Sequence, residues 1–249
     1  MEYAPAVPQL KAILFDIDDT LFSTTEFARK ARSNAVHAMV KAGLDLPEEV
    51  VMKELEEVLA EFSSNYEHHF DKLLMRLRPP SLSRVNPALI VAAGVVAYHD
   101  TKFRELYPFE DVIPFFAALR RANMRLGVLT HGWTVKQAEK LVRLGLVPYL
   151  EPTAVFISDQ IGISKPNPKL WSVALADMRL IPAEVMYVGD SPEHDIAPPR
   201  SLGMATVWSA RAARRTPQTT GIEPDHSVQD FRELGEILRS RYGIRLESF

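Results

Sequence analysis

The stretch Lys11-Ala-Ile-Leu-Phe-Asp-Ile-Asp-Asp-Thr-Leu-Phe22 constrains the fold more than any other. Ala12 to Phe15 run apolar without a break, and Asp16, Asp18 and Asp19 then place three carboxylates within four positions. A short continuous apolar run predicts a strand buried on both faces, as in a parallel sheet. Acids that follow such a strand sit at its carboxyl edge, where open α/β sheets keep their ligands.

The same arrangement recurs downstream. Arg125 to Thr130 is a second apolar run and ends in Thr130-His131-Gly132. Ala154 to Ile157 ends at Ser158-Asp159, and Val185 to Val188 ends at Gly189-Asp190-Ser191. Ala205 to Trp208 reads as a fifth strand and His226 to Val228 as a short edge strand. Helical segments separate them, over 111–122, 134–144, 168–178 and 230–241. A further helix is expected over 196–202, with Pro198-Pro199 in its first turn. Strands alternating with helices imply βαβ units, hence an α/β, Rossmann-like parallel sheet.

Residues 23–106 read differently, as helices only: 25–42 stopped by Gly43, 47–62, 68–77 stopped by Pro79-Pro80, and 87–102. The expected organisation is a core domain of 1–22 and 107–249, with 23–106 as an inserted all-α cap. The Ala/Val face of residues 88–97 is expected in the core of that insert, or alternatively at a dimer surface.

Composition removes other classes of function. A formal net charge of −3 argues against nucleic acid or an acidic membrane as partner. No cysteine is present, which excludes disulfides and thiol chemistry and fits a cytoplasmic home. The start has neither a basic region nor an apolar region, so no signal peptide is expected. A hydrophobic fraction of 47% supports a sizeable core.

Strand ends thus offer Asp16, Asp18, Thr130 and Asp190 to one edge, with Asp195 shortly after and Lys165 just past the third strand. Four carboxylates against one ammonium leave a net charge of about −3, and each like-charge contact near 4 Å costs about 4 kcal/mol at an effective dielectric of 20. Either the acids carry protons or a cation joins them. Oxygen-only ligands suit Mg²⁺, which keeps waters and substrate phosphate in its shell. A carboxylate is also a competent nucleophile toward phosphorus, giving an aspartyl-phosphate. Phosphoryl transfer is then mostly positioning and charge neutralisation.

In this order the residues resemble the haloacid dehalogenase superfamily, its phosphatase branch in particular. Asp16-Ile-Asp18-Asp-Thr20 matches the family's Asp-x-Asp-x-Thr, and Thr130 its strand-ending Ser or Thr. Lys165-Pro166 matches its Lys before Pro, and Gly189-Asp190-Ser-Pro-Glu-His-Asp195 its Gly-Asp with a further Asp. The helical insert resembles the family's first cap class. The subgroup resembled is the archaeal-type phosphatases with a long helical cap, which also holds N-acylneuraminate-9-phosphatase.

The resemblance implies roles. Asp16 is the nucleophile and a metal ligand. Asp18 is general acid toward the leaving alcohol and then base toward water, with its backbone carbonyl on the metal. Crowding by other acids predicts a raised pKa for Asp18. Thr130, with the neighbouring His131 and Gly132, is expected to hold phosphate oxygens, and Lys165 to neutralise the phosphoryl group. Asp190 is the second metal carboxylate. Asp195 supports the site through water or by holding Lys165, or serves as a helix N-cap. Asp19 stands where the family often has Gly and is left out of the chemistry.

The expected substrate is a small phosphomonoester, such as a sugar phosphate, glyceraldehyde 3-phosphate or phosphoglycolate, acted on by a monomer or homodimer. The cap is expected to choose it, with His68, His69, His99 and Lys102 its most unusual residues. Competing readings are a dehalogenase, which needs no acid at position 18, a phosphomutase, and a binding protein that has lost a motif acid. No motif acid is missing here.

Overall fold

The computed structural model describes residues 9–63 and 66–249; the start of the chain and Asn65 lie outside them. The chain divides into two compact units, one formed by the residues up to Thr24 with Tyr107–Phe249, the other by Thr25–Leu106.

The first unit is built on β1 (Ala12–Phe15), β2 (Arg125–Thr130), β3 (Val155–Ile157), β4 (Val185–Gly189), β5 (Ala205–Ser209) and β6 (His226–Val228). These pair in parallel in the order β3-β2-β1-β4-β5-β6. The helices in chain order are α1 (Thr24–Lys41), α2 (Glu48–Phe62), α3 (His69–Leu77), α4 (Pro87–Glu105), α5 (Val112–Arg121), α6 (Thr134–Arg143), α7 (Ser158–Ile161), α8 (Lys169–Met178), α9 (Ala197–Ser201), α10 (Pro217–Thr220) and α11 (Phe231–Tyr242).

Strand β1 is central and buried at every residue. On one face Leu14 packs with Leu129, Phe156, Trp171 and Tyr187. Phe15 meets Phe116 at 4.8 Å between ring centroids, and Phe115 stacks on Phe231 at 5.2 Å. Each such side chain contributes roughly 1.5–3 kcal/mol of burial. From β1 the strand order grows outward on one side through β2 and β3, then crosses to β4 on the other. That reversal between β1 and β4 opens the crevice at their carboxyl ends.

The second unit holds α1 to α4 around Val36, Met39, Leu44, Val51, Leu55, Leu73, Leu74 and Ile90. The Ala/Val face of α4 is split: Ile90 and Gly94 are buried, while Leu89 and Val96 are exposed. His69 Nε2 lies 2.7 Å from the Ser63 carbonyl, His68 lies 3.6 Å from Asp71, and both rings stand against Tyr66. No described helix is long and apolar enough to cross a membrane.

One expected element is placed differently. The helical path begins at Pro192 rather than 196, as a π-helical turn over Pro192–Ile196 that runs into α9. Pro198 and Pro199 lie in the first turn of α9, as expected, and both are buried. The wide turn closes through the Ala197 amide on the Pro192 carbonyl. Such turns concentrate at functional sites, and this one carries Asp195.

Candidate active site

Asp16 is the residue after β1, and its amide donates to the Val188 carbonyl of β4 at 2.9 Å. Lys165 reaches it from the loop before α8. The lysine Nζ has three protons and three acceptors: Asp16 Oδ1 at 2.6 Å, Asp195 Oδ1 at 2.6 Å and Tyr187 Oη at 2.7 Å. Tyr187 passes its own proton to the Leu129 carbonyl at 2.7 Å. The Lys165, Asp16 and Asp195 side chains are only 3%, 8% and 3% exposed.

Asp195 holds Lys165, as expected, but is not a helix N-cap: it lies inside the π-turn, whose N-cap is Ser191. One oxygen holds Lys165, and the other accepts the Ser191 amide at 3.0 Å where the π-turn begins. Gly189 is required beside it, because any Cβ at that position would run into the Asp195 side chain.

The charges do not balance. Burial pushes Asp16 up to about 7 against the pull of Lys165, and Asp195 and Asp18 add to the rise. Burial, then Asp195, Asp16 and Asp19, push Asp190 up to about 9. Burial alone would lower Lys165, but Asp16 and Asp195 outweigh it and hold the ammonium above its ordinary value. Oxygen atoms of Asp16, Asp190 and Asp195 lie within 4.8 Å of one another, the one acidic group among the described residues able to hold a metal ion. No described residue donates a hydrogen bond to the Asp190 carboxylate. An oxygen-only donor set with surplus negative charge fits a hard divalent cation.

Asp18 departs from expectation. Its carboxylate is not part of that acidic group. It accepts Lys140 Nζ at 2.6 and 2.7 Å, Gln137 Nε2 at 3.0 Å and Thr24 Oγ1 at 2.6 Å. Burial alone would raise its pKa, but the Lys140 charge and these hydrogen bonds outweigh it and lower the pKa. The expected rise is therefore overturned. It weighed the neighbouring acids without the lysine that α6 turns toward them.

The second strand end is also more occupied than expected. The Gly132 amide donates to Ser158 Oγ at 3.0 Å, so it is engaged within the protein. Gly132 has φ +141, and a Cβ there would strike Gln137. His131 Nδ1 lies 2.9 Å from Ser164 Oγ and 3.2 Å from Ser158 Oγ. Burial, Lys165 and His194 lower its pKa and favour the neutral ring. Thr130 Oγ1 is buried with no hydrogen-bond partner, an acceptor-seeking hydroxyl at the strand end.

The crevice is lined by Asp16, Asp18, Asp19, His131, Lys165, Asp190, His194, Asp195 and Arg214. Asp19, left out of the chemistry in the sequence reading, lines this crevice. Its φ of +54 explains why glycine is common at this place, and Asp is among the side chains that tolerate it. The sequence reading missed Lys140, Gln137, Ser158, Tyr187, His194 and Arg214. Only Gln137 and Lys140 left a signal, being three apart on one predicted helix face.

Residues 10–203 match the haloacid dehalogenase-like hydrolase family. A glyceraldehyde 3-phosphate phosphatase of Methanopyrus kandleri is 43% identical over 92% of this chain and 97% of its own length. One from Pyrococcus abyssi is 42% identical over 80% of this chain and 81% of its own. The fold is that of a haloacid dehalogenase-type phosphatase from Thermococcus onnurineus, with a TM-score of 0.63 at 23% identity over 92% of this chain and 98% of that one. The chain belongs to the haloacid dehalogenase-like hydrolases, on the phosphatase branch of that family.

Proposed function

We propose that this protein is a Mg²⁺-dependent phosphomonoesterase that works through a phosphoryl group carried on Asp16, with glyceraldehyde 3-phosphate as its substrate. The observation that carries the reading is the buried Asp16–Lys165–Asp195 cluster beside an Asp190 on which burial and neighbouring acids outweigh the pull of Lys165. The identity of the substrate rests on the curated relatives, which carry that activity in their names.

Asp16 attacks phosphorus and the bond to the leaving oxygen breaks, while Asp18 gives that oxygen a proton. Water then attacks the aspartyl-phosphate and Asp18 takes its proton, which releases phosphate and restores both acids. Lys165 stabilises the charge that develops on the phosphoryl oxygens. The Thr130 hydroxyl, which has no partner among the described residues, suits a phosphate oxygen. Mg²⁺ would be held by Asp16, Asp190 and the Asp18 backbone carbonyl, and supplies charge neutralisation that lets the dianion approach. Asp195 has both oxygens occupied, so its part is to hold Lys165. Residues 25–106 act as the substrate-choosing cap.

The test is phosphate release from glyceraldehyde 3-phosphate, phosphoglycolate and a set of sugar phosphates, with Mg²⁺ and with EDTA. The expected result is Mg²⁺-dependent turnover with the highest kcat/KM on glyceraldehyde 3-phosphate, abolished by Asp16→Asn. An inert protein in Mg²⁺, or full activity in Asp16→Asn, defeats the reading.

A further inference from the structure

The Asp18 carboxylate accepts four hydrogen bonds from three side chains. Lys140 donates to both oxygens, Thr24 to Oδ1 and Gln137 to Oδ2. Two of these donors come from one helix. Gln137 and Lys140 are three residues apart on α6 and so share a face.

Their helix is itself held at its start. The Thr134 amide and hydroxyl both donate to Asp159 Oδ2, at 3.0 and 2.7 Å. Gln137 is buried and spends both amide protons on acceptors, Asp18 Oδ2 and the His131 carbonyl at 2.6 Å. Its own oxygen is left buried without a partner among the described residues. An amide that served packing alone would satisfy that oxygen. This one gives it up to point its nitrogen at Asp18 and at the strand end that carries His131.

We propose that Lys140 and Gln137 are positioning residues, which fix the Asp18 carboxylate in the orientation from which it exchanges protons with the leaving oxygen and with water. The proposal rests on the reading of Asp18 as the acid and base of the reaction. A catalytic group held by packed, hydrogen-bonded neighbours keeps its geometry, and small displacements are costly.

Leaving groups of different basicity separate positioning from folding. An alkyl phosphate needs its leaving oxygen protonated, whereas p-nitrophenyl phosphate does not. General acid catalysis contributes about 10²–10⁴-fold. Lys140→Met and Gln137→Leu are expected to lose kcat on both esters, but about ten-fold more on ethyl phosphate than on p-nitrophenyl phosphate. KM should stay within about two-fold, since the change falls on the proton transfer and not on binding. Lys140→Arg, which keeps the charge and the donors, is expected to recover most of the alkyl-ester rate. Asp18→Asn should show the same selectivity, and Asp18→Asn with Lys140→Met should lose nothing further.

Equal losses on the two esters from Lys140→Met and Gln137→Leu, with Asp18→Asn still selective, overturn the proposal and leave the reading of Asp18 standing. Full additivity in the double variant does the same. An Asp18→Asn variant without selectivity overturns the reading of Asp18 and the proposal with it. If Lys140→Met does not fold, Gln137→Leu and Lys140→Arg decide the matter by the same ratio of rates.

Discussion

Two aspartates two residues apart in the chain each meet a lysine and behave in opposite ways. Lys165 meets Asp16 in a dry cluster where neither side chain is more than 8% exposed. Lys140 meets Asp18 with 19% and 28% of the two side chains exposed. The first carboxyl is raised and the second lowered. Contact with an ammonium therefore does not fix the direction. Lys165 is shared by Asp16 and Asp195 in a place where burial penalises every charge, and Asp190 stands close by. Lys140 serves Asp18 alone, with two neutral donors in support. The difference suits one acid to a site that awaits a cation and the other to a site already at balance.

The comparison breaks most visibly on removing each lysine. Lys165→Met would leave two buried carboxylates without their counter-charge. A loss of about 3–5 kcal/mol is expected in urea unfolding of the metal-free protein. Lys140→Met, at a pair with 19% and 28% of its side chains exposed, is expected to cost less than Lys165→Met. Similar costs for the two would contradict the contrast in burial.

A second way to sharpen it is pH, again on metal-free protein. Asp16 and Asp190 ionise near 3.8 when unfolded and at about 7 and 9 when folded. Between those values the folded state binds more protons than the unfolded, so stability falls as pH rises from about 4 to 9. Asp18 has the reverse sign. Its folded pKa lies below 3.8, so its contribution is present above that value and is lost as pH falls through the folded pKa. Thermal melts should show the alkaline decline flattened in Asp190→Asn and the acid loss flattened in Asp18→Asn. A decline that survives in Asp190→Asn and in Asp16→Asn would remove the charge imbalance from the account.

Ion binding gives the next effect. At pH 8, Mg²⁺ at a hundred times its Kd is expected to stabilise the protein by about 2.7 kcal/mol. The gain should vanish in Asp190→Asn and persist in Lys140→Met. Equal stabilisation of all three proteins would place the ion elsewhere.

Much of the sheet and the acids at its edge was legible in the sequence for a local reason. Each strand is a short apolar run followed at once by its polar residues, so element and candidate site residue share a few positions. The missing parts are those that require the sheet order. Gln137 and Lys140 read as an ordinary polar helix face until β2 is placed beside β1. Tyr187 read as one more apolar residue of its strand, yet its hydroxyl links Lys165 to the Leu129 carbonyl. Asp19 looked idle because its backbone angle and its nearness to Asp190 are both three-dimensional facts. The expected pKa of Asp18 failed on the same ground, since its lysine lies 122 positions away.

Asp16 and Asp190 follow neighbouring strands of one parallel sheet. Adjacent strands lie about 4.7–4.9 Å apart whatever their side chains, and the acidic oxygens here fall within 4.8 Å. Neighbouring parallel strands thus bring both acids to the same sheet edge. Loops and the helical insert can diverge in sequence and change what is recognised, while the pairing that delivers both acids to one edge is made by peptide hydrogen bonds that no side-chain substitution removes.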